Sequence, residues 1–416
     1  MSRSAVQIDP TNLVTDSVRV SWRAAVRLRA GHAWVYRSDL ELMRELPRGG
    51  VVRVLEEGGR FLGCALTSST SQIALRMISE GQCTAEDLPE LVRARIRSAL
   101  EYRNTLGIPG HSNAYRLVFS EADRLPGLIV DRYNDVLAFQ VLTQAMDRPE
   151  VRRAILDTLA AALQPAGIVE RVEERIRELE DLPPLTGGLL RGEKSQTIIE
   201  MNACDASVPL RFHYSSAAGQ KTGAFLDQRE NYAAAERYAR GAALDVFCYQ
   251  GGFSLHLARR CSQVIGVDSS LPALQSAEQN FELNRESLKV SEIDWMEANA
   301  FDLLRDWSDA GRKFGTVVLD PPAFAKTKRA LATAVRGYKE LNLRALKMIA
   351  PGGILITCSC SHHVSQDEFM NMLCEAARDA HRRIRLLEVR GQSRDHPVVA
   401  GIPETAYLKC VIAYVE

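Results

Sequence analysis

Long hydrophobic runs are missing from this chain: no stretch approaches the roughly 20 apolar residues that a membrane-crossing helix needs. The polar segment Met1–Ser17 has no apolar signal core either. Charge of one sign is also missing. The 52 Lys and Arg balance the 52 Asp and Glu, so bulk electrostatics announce no nucleic-acid partner, and any such claim must come from local features. No two of the nine cysteines are spaced C-x-x-C; an odd, scattered set argues for reduced thiols in a cytoplasm. The phosphate-cradling patterns G-x-G-x-x-G and G-x-x-x-x-G-K-[ST] are both absent, which counts against a dinucleotide dehydrogenase and a P-loop enzyme. There is no internal repeat and no low-complexity stretch. What remains is an ordinary globular composition, 46% apolar and 25% charged over 416 residues, long enough for two or three domains.

The stretch around which the chain is organised runs from Ala242 to Ser254, with Asp268 downstream. Its spacing predicts a short buried strand, a tight turn through Gly251 and Gly252, and a helix over about Ser254–Arg260. A second apolar strand, Val264–Val267, then ends on Asp268. A strand–turn–helix–strand unit closed by an acid about twenty residues on is a nucleoside-binding half of a Rossmann-like sheet, the acid accepting from the ribose hydroxyls. Asp245, Phe247 and Tyr249 put an acid and two aromatics where a pyrophosphate would want bare backbone N–H groups. Such a turn suits a cationic ligand that carries an adenosine, and S-adenosylmethionine is one. The candidates for holding it here are Asp245, Phe247, Tyr249, Gly251, Asp268 and Ser269.

Two further strands bring reactive groups to the same edge. Thr316–Leu319 is apolar and ends in Asp320-Pro321-Pro322, and two prolines cannot continue a sheet. Ligands in open α/β sheets sit at the carboxyl ends of strands, so Asp320 is well placed. Ile354–Ser361 follows a long helix with Leu331, Val335, Tyr338, Leu341, Ala345 and Ile349 on one face, ended by Pro351-Gly352-Gly353. Strand alternation puts Cys358 and Cys360 on one side, with Cys360 nearer the carboxyl end. Three readings of that cluster compete: a nucleophile at Cys360, a metal site of Cys358, Cys360 and His362, and inert core thiols such as Cys358, Cys204, Cys261 and Cys374. The metal reading is weak, because one short strand supplies all its ligands and no second cluster completes a tetrahedron.

The first eighty residues read as β-rich, with strands at Val18–Val20, Gly49–Val54, Phe61–Leu66 and Ile73–Ile78. Arg27, Arg29, His32, Trp34, Tyr36 and Arg37 mix basic and aromatic groups, a combination that suits RNA. A helix over Glu86–Leu106 and a hairpin turning at Asn134-Asp135 follow, then a helix over Arg148–Leu163. The alternating charges of Glu170–Asp181 read as a solvated face, and Gly187-Gly188 as a loop. Two short strands are expected between Lys194 and Tyr214.

Several of these stretches resemble one family. Arg29-Ala-Gly31-His32-Ala-Trp34-Val-Tyr36 with the Gly63-Cys-Ala-Leu strand looks like the small PUA barrel that heads a family of bacterial ribosomal RNA methyltransferases. Glu121-x-Asp123-x-Leu-Pro126-Gly127, running on to Asp131-Arg132-Tyr133, resembles the central domain of the same family. Gln220-Lys221-Thr222-Gly223-x-Phe225-Leu-Asp227-Gln228-Arg229 resembles its cofactor-capping loop. Thr357-x-Ser359-Cys360-Ser361 and Asp395-His396-Pro397 match as well, so the likeness spans about Val18–Val415.

The resemblance implies a three-part S-adenosylmethionine-dependent 23S ribosomal RNA cytosine-5 methyltransferase in the cytoplasm. Its parts would be a PUA-like β-barrel (1–80), a β-rich central α+β domain (81–190) and a class I methyltransferase domain with a seven-stranded Rossmann-like sheet (191–416). It implies that Lys221, Thr222 and Phe225 touch the cofactor and that Asn299-Ala300 lie near the adenine. Asn299 stands where the family has an acid. Cys360 falls on the family's cysteine, Asp320 would meet the flipped-out cytosine, and the loop 395–405 should lie near the target base. Arg27, Arg29, His32 and Trp34 would contact RNA. A thiolate is wanted because carbon 5 of cytosine is a poor nucleophile until carbon 6 has been attacked. The rival readings are methylation of another base atom, such as a guanine nitrogen, and a non-catalytic RNA-binding assembly factor. The oligomeric state is left open, a homodimer included.

Overall fold

The computed structural model describes residues 17–41, 45–201, 208–217, 222–325 and 327–416. The first unit is β1 (Ser17–Val20), α1 (Trp22–Arg29), β2 (Trp34–Tyr36), β3 (Val51–Glu56), β4 (Phe61–Thr67) and β5 (Ile73–Ser79), its strands in the order β1-β3-β4-β5-β2. Alternation seats Val52 and Val54 against Val18, Val20 and Leu75. The helix α1 is absent from the sequence reading. The Ser21 hydroxyl caps it by accepting from the Ala24 N–H, and Ala24 and Ala25 anchor it in the core.

The second unit comprises α2 (Leu88–Thr105), β6 (Ala114–Phe119), β7 (Leu128–Tyr133), β8 (Val136–Val141), α3 (Pro149–Leu163), β9 (Gly167–Glu170), α4 (Glu174–Leu179) and β10 (Gly188–Gly192). Its sheet runs β10-β9-β8-β7-β6. Asn134 turns the β7–β8 hairpin at φ +55°, and α3 crosses between the parallel β8 and β9. Two expectations need correcting. A strand, β10, begins at Gly188, paired to β9, where a loop was expected. The charged segment 170–181 is a solvated face only in part: Glu173, Glu174, Arg175, Glu178 and Asp181 are exposed, but Glu170, Arg177 and Glu180 are buried. Arg177 donates to the Pro183 carbonyl, and Glu180 accepts from Arg76 at 2.7 Å and Ser68 at 2.9 Å, joining the first unit to the second. On α2 the Tyr102 ring is exposed, while the neighbouring Arg103 is fully buried.

A hairpin of β11 (Gln196–Met201) and β12 (Leu210–Ser215) leads into the third unit. There follow α5 (Arg229–Tyr238), β13 (Ala242–Val246), α6 (Gly252–Ala258), β14 (Gln263–Asp268), α7 (Leu271–Asn284), β15 (Asp294–Glu297), α8 (Ala300–Asp309), β16 (Phe314–Leu319), α9 (Leu331–Met348), β17 (Ile349–Ser359), α10 (Gln366–Asp379), β18 (Ile384–Arg390) and β19 (Lys409–Val415). The seven strands run β15-β14-β13-β16-β17-β19-β18. The first five are parallel, and β19 is antiparallel to both its neighbours. Apolar layers cover both faces, as a mostly parallel sheet requires. Pro351-Gly352-Gly353 lies inside β17, where the register shifts, and not at the end of the preceding helix; Ile349 belongs to the strand. The chain order reverses between β13 and β16, which opens a crevice at their carboxyl ends.

Candidate active site

Because β14, β13, β16 and β17 are adjacent and parallel, the residues just past them meet on one edge. There they line a cleft of about 790 Å³. Phe247, Tyr249, Asp268, Ser269, Asp320 and Cys360, all singled out from the sequence, border it, as does Phe225. The turn after β13 is strained: Phe247 and Tyr249 sit in the left-handed region at φ +69° and +49°, beside Gly251 at +83°. Such strain clusters at functional sites and persists only where the surroundings enforce it. Here Asp268 enforces it, accepting from the Tyr249 N–H at 2.9 Å with one oxygen and from the Ser270 N–H at 2.9 Å with the other. The Phe225 and Tyr249 rings meet edge to face at 5.0 Å. Gly252 leaves room for the Tyr232 ring on the cleft wall; a Cβ there would stand 2.5 Å from it.

Asp245 does not line the cleft. It is fully buried on β13 and accepts from the Ser254 hydroxyl at 2.6 Å. Burial pushes its carboxyl up to about 7, against the Ser254 hydrogen bonds and with the help of the Asp268 charge. Its other oxygen is buried with no partner among the described residues. A cleft large enough for a nucleoside and a base, walled by Asp268 and aromatic rings, therefore fits S-adenosylmethionine.

Other sequence candidates are placed elsewhere. Thr222 is fully buried, and its hydroxyl bonds to Asp131 and to the Tyr133 hydroxyl (2.7 Å), so it is tied to β7. Asn299 turns its amide oxygen onto the N–H groups of Phe301 and Asp302 as the N-cap of α8, so that acceptor is already engaged in starting a helix. Neither Asn299, Ala300 nor Gly251 borders the cleft. Lys221 lies outside the described residues.

The RNA candidates on the first unit are engaged in joints and pairs. His32 reaches Glu404 at 3.2 Å, and the Trp34 indole N–H donates to Glu121 at 2.9 Å. Arg27 pairs with Asp39 and Arg29 with Glu56. The outward side of α1 instead carries Trp22, 66% exposed, with Arg23 and Val26, and Arg19 is exposed on β1.

At Asp320, the Gln228 amide donates to Oδ1 at 2.9 Å and is itself held by Asn231 at 2.7 Å. Gln228 stood in a motif already quoted, yet its type alone did not distinguish it from its neighbours. Asp227 accepts from the Tyr407 hydroxyl at 2.7 Å, and the Tyr407 ring lies 5.5 Å from that of His362; all three border the cleft. Cys360 approaches the Pro321 carbonyl at 4.0 Å. Cys358 is fully buried opposite Cys410, and burial raises its thiol well above the ordinary value. Cys374, in contrast, is exposed and so is no core thiol. Among the described residues no group of three or more His, Cys, Asp or Glu could hold a metal ion, and no helix is long and apolar enough to cross a membrane.

The loop 395–405 was expected near the target base, but none of its residues borders the cleft. Asp395 is fully buried, accepting from Arg229 at 3.0 Å and from the Arg116 N–H at 2.7 Å, while its carbonyl accepts from Arg103 at 2.6 Å. Burial alone would raise its pKa, but the Arg229 charge and the neighbouring His396 and Arg116 groups outweigh it and hold the carboxyl well below the usual range. Beyond it, Tyr407 and Leu408 return to the cleft.

The strand order, the strained turn and the acid after the second strand define a nucleoside-cofactor methyltransferase sheet. A family model for S-adenosylmethionine-dependent methyltransferases matches residues 151–411, and one for a PUA-like domain matches residues 18–80. The chain belongs to the S-adenosylmethionine-dependent methyltransferases and carries a PUA-like domain ahead of the catalytic one. It is 38% identical to the ribosomal RNA large subunit methyltransferase I of Shewanella amazonensis over 389 residues, 92% of this chain and 95% of that protein. With the protein of the same name from Photobacterium profundum it shares 35% over 394 residues, 94% and 96% of the two chains. A crystal structure assigned as a methyltransferase complexed with SAH superposes with a TM-score of 0.80 at 19% identity, covering 96% of this chain and 99% of that one. At that identity the likeness speaks for the fold alone.

Proposed function

We propose that this enzyme methylates carbon 5 of a cytosine in large-subunit (23S) ribosomal RNA through a covalent adduct with Cys360. The observation that carries the reading is the convergence of Cys360, Asp320 and Asp268 on one cleft from three parallel strands. Asp268 would hold the ribose hydroxyls, with Phe225, Phe247 and Tyr249 around the nucleoside. S-adenosylmethionine supplies the electrophilic methyl group. The Cys360 thiolate adds to carbon 6 of the flipped-out base, and the electron pair this releases makes carbon 5 nucleophilic. Asp320, steadied by Gln228, accepts from the exocyclic amine and binds ring nitrogen 3 if that nitrogen is protonated. After methylation, loss of the carbon 5 proton to a base restores the ring double bond and expels the thiolate.

RNA contact falls on the outward side of α1, where the Trp22 indole offers a stacking surface and Arg19 and Arg23 offer phosphate contacts. The setting is the cytoplasm, with a monomer or homodimer alike, since every residue used belongs to one chain.

The test is methyl-labelled S-adenosylmethionine with unmodified ribosomal RNA, followed by nucleoside mass spectrometry. Labelled 5-methylcytidine supports the reading. A labelled guanosine, or no label in free RNA or assembled subunits, ends it. Trp22→Ala should raise KM for RNA with kcat kept; an unchanged KM removes the α1 surface from the account.

A further inference from the structure

We propose that Lys409 is the electrostatic partner of Cys360, its ammonium favouring the thiolate over the thiol. The inference rests on the cytosine-5 reading, because only thiol addition needs that anion. Lys409 opens β19 opposite Ser359, the last residue of β17. Its Nζ donates to the carbonyls of Ser361 at 2.7 Å and Tyr407 at 2.9 Å, which fixes the charge beside the segment carrying Cys360. The residue is 6% exposed, and a buried cation is costly unless an opposing charge meets it. No carboxylate among the described residues lies within ion-pair distance of Lys409.

The groups facing it from the neighbouring elements are Cys360 and His362 beyond β17 and Glu368 in the first turn of α10. The Glu368 carboxylate is engaged in the helix cap, accepting from the Ser365 N–H and hydroxyl at 2.8 Å each. Burial, then the Lys409 charge, lowers His362 and keeps its ring neutral, so it does not compete as a cation. Tyr338, bonded to the Ser361 hydroxyl at 2.9 Å, is raised mainly by burial and stays a neutral phenol. Burial pulls Lys409 down to about 8, with Cys360 and then Glu368 acting the other way, so the ammonium is mostly present at neutral pH. Lys409 is thus a positioning residue that acts through the nucleophile.

The test is the pH profile of Cys360 alkylation by iodoacetamide, read on the Cys360 peptide by mass spectrometry in the full-length protein. Lys409→Met should move the midpoint up by about one pH unit or more and slow alkylation at neutral pH by about tenfold. Lys409→Arg, which keeps the charge, should hold the midpoint close to wild type. A wild-type profile in Lys409→Met that still binds SAH and melts normally overturns the proposal. So does an arginine variant whose midpoint rises; this arm stands even if the methionine variant fails to fold. Alkylation does not depend on turnover. A shifted profile with a product other than 5-methylcytidine would sink the cytosine-5 reading alone, and 5-methylcytidine with an unshifted profile would sink the Lys409 role alone.

Discussion

Asp395 and Asp320 are both aspartates in motifs that stand out in the sequence, and the structure gives them opposite surroundings. Asp395 is fully buried between Arg229 and the Arg116 N–H, with Arg116 itself forked onto Asp131 by two contacts of 2.8 Å. Asp320 borders the cleft and is steadied by the Gln228 amide. The first arrangement fastens the central domain to the catalytic sheet. The second leaves a carboxylate facing the space where a base would lie. Cys358 and Cys360 repeat the contrast two residues apart, one thiol sealed against Cys410 and the other on the cleft wall. A distinctive motif therefore marks a place that the fold or the reaction depends on, and burial decides which.

The contrast can be broken at its strongest point by exchanging the two thiols in turn. Cys360→Ala should lower methyl transfer by at least about a thousandfold with SAH binding kept. Cys358→Ala should leave kcat within a few-fold and lower only the melting temperature. Comparable losses in the two variants would erase the distinction.

Asp395→Asn should act on stability first. Removing the charge takes the nearer counter-ion from the buried Arg229 guanidinium and leaves it only Glu230 at 3.9 Å, and breaking such a buried pair costs about 3–5 kcal/mol; urea unfolding at pH 7 would measure this. The pH dependence carries a sign. A carboxyl held below its unfolded pKa of about 3.9 contributes stability above that pH and loses it as pH falls toward the native value. The wild type should therefore lose stability below about pH 4 more steeply than Asp395→Asn. Parallel acid limbs would show that the pair contributes nothing to the joint.

The smallest effects separate a ligand contact from a helix cap. Asp268→Asn should weaken SAH binding by about tenfold in calorimetry, since charged hydrogen bonds contribute about 1.5–3 kcal/mol. Asn299→Ala should cost about 1 kcal/mol of stability through the lost cap with little change in SAH affinity. The reverse ranking would return Asn299 to the adenine and take Asp268 away from the ribose.

The catalytic sheet was legible because its signals are local. Apolar runs ending in Asp268, Asp320 and Cys360 place strand ends, and strand ends in a parallel sheet share an edge. The same locality explains what was missed. Thr222 and Asn299 stand in stretches expected to hold the cofactor, but one hydroxyl turns to Asp131 and Tyr133 and one amide to the start of α8. No spacing rule reveals where a side chain turns. Glu180 looked solvated among its charged neighbours, and its partners Arg76 and Ser68 lie more than a hundred positions upstream. Lys409 could not be linked to Cys360 without the β17–β19 register. The helix α1 was hidden because the residues it buries are the small Ala24 and Ala25, while its large apolar side chains Trp22 and Val26 point outward, in a segment otherwise rich in strands.

The central claim, thiol addition by Cys360, is tested most directly by trapping. An RNA whose target cytosine carries fluorine at carbon 5 has no proton to surrender there, so an adduct formed on it cannot be released. Incubated with S-adenosylmethionine and run on a denaturing gel, the wild type and Cys358→Ala should give a covalent protein–RNA band, with the RNA fragment mapping to Cys360, and Cys360→Ala should give none. A band that survives in Cys360→Ala, or wild-type 5-methylcytidine formation with no trapped band, would contradict the account.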